Sequence, residues 1–144
     1  MEKQTTIKNK ITLKGKGLHT GKFVEVNILP SVADSGIVFK RVDLENPVLI
    51  KADAEAVTET SRGTTIEAKG AKVATIEHLM AALYASNIDN ALIEISGEEV
   101  PILDGSSKYW LEAIEKSGVE ELEKERKYFK DTFPELKDVF MVDY

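Results

Sequence analysis

The chain has 144 residues with 19 Lys and Arg against 25 Asp and Glu, a formal charge of −6, and it is 42% hydrophobic and 31% charged. That size suits one domain with its own core, and the acidic balance argues against a nucleic-acid binder, whose affinity rests on Lys and Arg neutralising phosphates; a small anionic ligand stays open. Cysteine is absent, which excludes disulfides, iron–sulfur clusters and thiolate zinc sites.

At the amino terminus, Met1-Glu2-Lys3-Gln4 lacks the apolar core of a signal peptide, and nowhere do about 18 apolar residues run together. The expectation is a cytoplasmic protein with no transmembrane segment. Residues 5–29 read as two strands and a turn: Ile7, Ile11 and Leu13 sit at even separations, and Val24, Val26 and Ile28 alternate with Glu25 and Asn27. Between them, Lys14-Gly15-Lys16-Gly17-Leu18-His19-Thr20-Gly21 carries glycines that open backbone conformations closed to other residues. It is not a phosphate loop, because it lacks the terminal Gly-Lys-Ser/Thr order and opens no helix. On spacing alone His19 is a turn histidine.

Ile37 to Arg41 and Val48 to Ala52 read as further strands, the second following the Asn46-Pro47 turn signal. Thr58 to Ile66 is rich in hydroxyls, which β-propensity and edge exposure explain, and Lys69-Gly70 makes a hairpin turn into Lys72-Val73. Then comes Thr75-Ile76-Glu77-His78-Leu79-Met80-Ala81-Ala82-Leu83, where Ile76, Leu79, Met80 and Leu83 fall at i, i+3, i+4 and i+7, the spacing of one buried helical face. Thr75 stands where an N-cap is expected and Glu77 complements the positive end of the helix dipole. Glu77 and His78 are placed off the apolar stripe at an accessible helix end, a carboxylate beside an imidazole. Such a pair is either a solvated carboxylate with a surface histidine or a general base beside a metal ligand. It does not complete H-E-x-x-H, since His19 is the only other histidine, so a metal site would need ligands from elsewhere.

Asn87 to Asn90 read as a loop, Ala91 to Ile95 as a strand broken by Gly97 and Pro101, and Ser106 or Ser107 as the N-cap of a second helix with Trp110, Leu111 and Ile114 on its apolar face and Gly118 at its stop. Glu120 to Lys130, dense in alternating charge, reads as a solvated helix or linker, and Val139-Phe140-Met141-Val142 as a final strand. The fold class expected is a two-layer α+β sandwich: a mixed, largely antiparallel sheet of about five strands with two helices on one face, since hairpins and not helical crossovers join the early strands. Residues 1–119 form the expected domain. Residues 120–144 are a charged linker or tail, or the start of a second domain.

Four of these stretches, Gly15 to Gly21, Thr75 to Leu83, Ile88-Asp89-Asn90 and Pro101-Ile102-Leu103-Asp104-Gly105-Ser106-Ser107, resemble in order and spacing the amino-terminal half of UDP-3-O-acyl-N-acetylglucosamine deacetylase, the zinc enzyme of lipid A synthesis. The resemblance covers residues 3–119. It implies two similar domains, each a sheet with two helices, with the active site between them. It implies that Glu77 is the general base and His78 a Zn2+ ligand, that His19 lies near the site, and that Leu18 with Ser61 to Gly63 borders the acyl side of the cleft. Asp104 is assigned to a turn and cap role instead. The family's other zinc ligands, a histidine and an aspartate, and a further catalytic histidine belong to the second domain, which this chain does not include. The expectation is therefore half of a deacetylase, inactive alone, holding Zn2+ weakly or not at all, whose partners are a UDP-acyl-sugar and a carboxy-terminal domain or a second copy meeting it at the exposed interface. The alternatives are a non-catalytic association module of the same fold and a different metal hydrolase that uses Glu77 and His78.

Overall fold

The computed structural model describes residues 2–126. In chain order the elements are β1 (Lys3–Ile7), β2 (Ile11–Lys16), β3 (Phe23–Leu29), β4 (Ile37–Arg41), β5 (Val48–Lys51), a 3-10 turn (Ala54–Ala56), β6 (Val57–Glu59), β7 (Thr65–Ala68), β8 (Ala71–Val73), α1 (Glu77–Ala85), β9 (Ala91–Ile95), α2 (Lys108–Ser117) and β10 (Val119–Glu125). The main sheet runs β2-β3-β9-β4-β5. Its one parallel pair is β4 with β9, which a crossover of some length must join; that crossover carries β5, the small sheet β6-β7-β8 and α1. The α+β architecture, with a mixed five-stranded sheet and two helices, is the expected one.

Period-2 alternation sends one side of every strand inward. The register lines up Ile11, Ile28, Ile93, Phe39 and Ile50 as a single row across all five strands, and every member is buried. Leu79, Met80, Ala82 and Leu83 of α1 and Trp110 and Ile114 of α2 belong to the same core. Truncating a residue of that row, as in Ile93→Ala, would remove about 2–5 kcal/mol, more than any single surface contact supplies.

Three expectations need correction. The first strand is two, because residues 8–10 turn away to meet the end of α2: the Ser117 hydroxyl donates to the Asn9 carbonyl (2.6 Å) and accepts from the Asn9 amide (3.0 Å), while the Asn9 side chain donates to the Ser117 carbonyl. Residues 120–125 are a strand, not a solvated helix or linker. β10 pairs antiparallel with β1, and this backbone pairing leaves no mark in a charged, exposed sequence. Thr75 is not the N-cap of α1. That position is Ile76, with no side-chain cap, and Thr75 has φ +58°, outside the extended region an N-cap occupies. The expected strand over Val139-Phe140-Met141-Val142 lies outside the described residues, as does the end of the charged stretch.

The β1–β10 ribbon is tied to the body through Ile88-Asp89-Asn90. The Thr5 amide donates to Asp89 Oδ2 (2.9 Å), the Thr6 hydroxyl to the Asn90 carbonyl (2.6 Å), and the Asn90 side-chain amide to Gln4 Oε1 (3.0 Å). Arg126, just past β10, grips the Asp89 carboxylate from Nε and Nη2 at 3.0–3.1 Å and pairs with Glu2. One of the four resemblance motifs therefore has a structural job here.

Candidate active-site half

The first turn of α1 sets Glu77 and His78 side by side with different surroundings. Glu77 is 6% exposed, not at an accessible end as its position off the apolar stripe suggested, because the turn 60–64 folds over it. Its Oε1 accepts from the Thr64 amide at 2.9 Å. Gly63 lies against its other oxygen: a Cβ there would stand 3.0 Å from Oε2, and Gly63 has φ +100°, so both the close approach and the backbone call for glycine. His78 is half-buried. Its carbonyl accepts from the Ser107 hydroxyl at 2.8 Å, which ties the start of α1 to the start of α2, whereas its ring has no hydrogen-bond partner among the described residues.

The glycine-rich loop reaches the same corner. His19 Nε2 stands 3.0 Å from the Arg62 carbonyl, so that nitrogen carries the proton in this contact. His19, Arg62, Gly63 and Glu77 thus form a continuous run of contacts. Ser61, exposed, donates to Glu59 (3.0 Å) and bridges to Gly63. Leu18 is 59% exposed at the tip of the β2–β3 hairpin. The structure joins His19, Gly63 and Glu77 through contacts; His78 follows Glu77 in the first turn of α1, and Leu18 and Ser61 are exposed chain neighbours of His19 and Arg62. Asp104 is elsewhere, accepting from the amide and hydroxyl of Ser106 (3.0 and 2.9 Å) in the turn before α2; these bonds hold its carboxyl below the usual range.

One residue of this corner escapes sequence reasoning. Glu99 is 1% exposed, and a buried carboxylate is costly unless hydrogen bonds replace its water. It accepts from the His19 amide (3.0 Å), the Thr20 amide (2.8 Å) and the Thr75 hydroxyl (2.6 Å). This is why Thr75 caps nothing: its hydroxyl serves the carboxylate. Burial pushes the Glu99 carboxyl up, but the bonds from Thr75, Thr20 and His19 outweigh it and hold the group below the usual carboxylate range. A Cβ at Gly17 would overlap Glu99 Oε1. In the sequence, Glu99 falls between the strand-breaking Gly97 and Pro101 beside a second glutamate, and no apolar period or motif marks it as buried.

As a metal site the corner is incomplete. Among the described residues no three His, Asp or Glu side chains come together to hold a metal ion. His78 offers one imidazole, and a catalytic zinc site takes three protein ligands with one open position. The residues present do not by themselves fit the ion. No helix among the described residues is long and apolar enough to cross a membrane.

The fold is a two-layer α+β domain, with Glu77 buried at the start of α1 and the His78 ring without a hydrogen-bond partner among the described residues. A family model described as UDP-3-O-acyl N-acetylglycosamine deacetylase (LpxC) matches residues 4–139, and the chain belongs to that family. It is similar to the UDP-3-O-acyl-N-acetylglucosamine deacetylase of Geotalea uraniireducens (50% identical over 125 residues, 87% of this chain and 41% of the relative). It is also similar to the bifunctional enzyme LpxC/FabZ of Bacteroides thetaiotaomicron (50% over 121 residues, 84% and 26%) and to the Xanthomonas axonopodis deacetylase (43% over 132 residues, 92% and 44%). The chain spans between about a quarter and less than half of these relatives.

Proposed function

We propose that this chain is the amino-terminal half of a deacetylase that removes the acetyl group from a UDP-3-O-acyl-N-acetylglucosamine. The reading is carried by Glu77, a buried carboxylate with one oxygen held by the Thr64 amide and the other facing Gly63, followed in the chain by His78, whose ring has no partner among the described residues. Glu77 takes the proton of the attacking water and delivers it to the departing amine, so that acetate and the free amine result. His78 would supply one zinc ligand, with the remaining ligands coming from a carboxy-terminal domain that docks on this corner; the amino-terminal domain, expected over residues 1–119, takes in β10 as well. A zinc ion held by both halves would supply the Lewis acid of the reaction. His19 stands near the substrate, and Leu18, Ser61 and Gly63 border the acyl side. Alone, the chain is inactive, and the cytoplasm is its place of work.

The test recombines the purified chain with the carboxy-terminal half of the Geotalea relative and assays acetate release from the UDP-acyl-sugar. Zinc-dependent turnover that needs both halves and is lost in Glu77→Gln and His78→Ala is the expected result. Turnover unaffected by either substitution would sink the assignment.

A further inference from the structure

Glu99 closes a ring of contacts. Its carboxylate holds the His19 and Thr20 amides and the Thr75 hydroxyl; His19 reaches the Arg62 carbonyl; Gly63 and Thr64 meet the Glu77 carboxylate; and the Ile76 amide donates to the Thr64 carbonyl at 3.2 Å, which returns the path to Thr75. The members come from four segments: the β2–β3 hairpin, the turn 60–64, the start of α1 and the stretch after β9 that carries Glu99. We propose that Glu99 is a positioning residue, a buried carboxylate that fixes the glycine-rich loop, and with it His19, relative to Glu77 and His78.

Three observations carry this. The carboxylate is almost wholly buried yet forms no ion pair among the described residues, so its charge is balanced by donors aimed at it from two separate segments. Thr75, a β-branched residue, is held at φ +58°, where L-residues are strained, and its hydroxyl bond to Glu99 (2.6 Å) fixes it there. Such strain persists only where the surroundings over-determine it. Gly17 is required by steric contact with the same carboxylate. A surface turn would show none of these. Glutamine at position 99 keeps the shape, and its one oxygen can still accept from both the His19 and Thr20 amides, but it removes the charge that makes these bonds strong and reverses the bond with the Thr75 hydroxyl, which would have to accept from Nε2.

The geometric part stands on this chain alone, while its catalytic meaning rests on the deacetylase reading, and the test separates them. Hydrogen exchange by NMR on the wild-type and Glu99→Gln chains reads the loop directly. Protection at the His19 and Thr20 amides should fall roughly threefold to tenfold, the difference between a charge-assisted and a neutral hydrogen bond, while Leu79 and Ile93 in the core keep theirs. Unchanged protection at His19 and Thr20 overturns the proposal. Thr75→Val, which removes one donor and retains the β-branched shape, covers the case in which Glu99→Gln does not fold: it should shift the His19 and Thr20 resonances and lower their protection less, and no change overturns the proposal equally. In the recombined enzyme, Glu99→Gln should lower kcat roughly 10²-fold, as a small misplacement of reacting groups does, with KM little changed. A kcat at the wild-type level overturns the catalytic link. Turnover that survives Glu77→Gln would instead remove the deacetylase reading and leave the loop result standing.

Discussion

Two polar corners of this domain are built with the same materials and end differently. At the β1–β10 ribbon, Asp89, Asn90, Gln4, Thr5 and Arg126 pair among themselves and with the backbone. At the start of α1, Glu99 is as fully paired, but the groups it supports are not: Glu77 keeps one oxygen facing Gly63 and the His78 ring has no partner among the described residues. A network whose every donor meets an acceptor holds structure and has no capacity left over. One that leaves groups unpaired among the described residues keeps hydrogen-bonding capacity, which the proposed function assigns to the reaction.

The comparison breaks most sharply at Glu77. In the recombined enzyme Glu77→Gln should lower kcat by about 10²–10⁴-fold, the contribution of a positioned proton acceptor, while the melting temperature barely moves, because glutamine Oε1 still accepts from Thr64; initial rates and thermal scans on one preparation check both. Gly63→Ala comes next. A side chain there meets the Glu77 carboxylate at a left-handed backbone position, which should cost about 1–3 kcal/mol in urea unfolding and reduce kcat as well. Asp89→Ala should cost about 1–2 kcal/mol by leaving the Thr5 amide and the Arg126 guanidinium short of an acceptor, yet leave the resonances of His19 and His78 where they are. That contrast, a stability loss without a change at the corner of Glu77, separates the two corners.

The smallest effect is a pH dependence. Glu99 has its carboxyl below the ordinary value of 4.5 in the folded chain, so its contribution to stability is complete above the unfolded-state value and is lost as pH falls through the folded one. The stability gap between wild type and Glu99→Gln, measured by urea unfolding from pH 7 to pH 3, should be constant at neutral pH and narrow only below about 4.5.

What could be read from the sequence follows from how far apart the interacting residues lie. The apolar spacing of Ile76, Leu79, Met80 and Leu83, the hairpin around Gly15 to Gly21 and the alternation of Val24, Val26 and Ile28 are local patterns, and the five-stranded α+β architecture came out as they imply. The adjacency of Glu77 and His78 is local too. Burial of Glu77 is not, because it depends on the turn 60–64. Glu99 was illegible for the same reason: its three donors lie 24 to 80 residues away, and in sequence it is one of two glutamates in a polar stretch. Thr75 misled because a hydroxyl before a helix usually caps it. β10 pairs through its backbone, and Glu120 to Glu125 offers no apolar period to announce it.

The central claim, that this chain is half of an active site, is tested most directly by calorimetric zinc titration of the 144-residue chain and of its His78→Ala variant, with the UDP-acyl-sugar assayed in the same sample. Weak or undetectable binding and no turnover is the predicted result, since His78 is a single ligand. Micromolar or tighter binding that disappears in His78→Ala, together with acetate release, would mean that the chain completes its own site and would contradict the account.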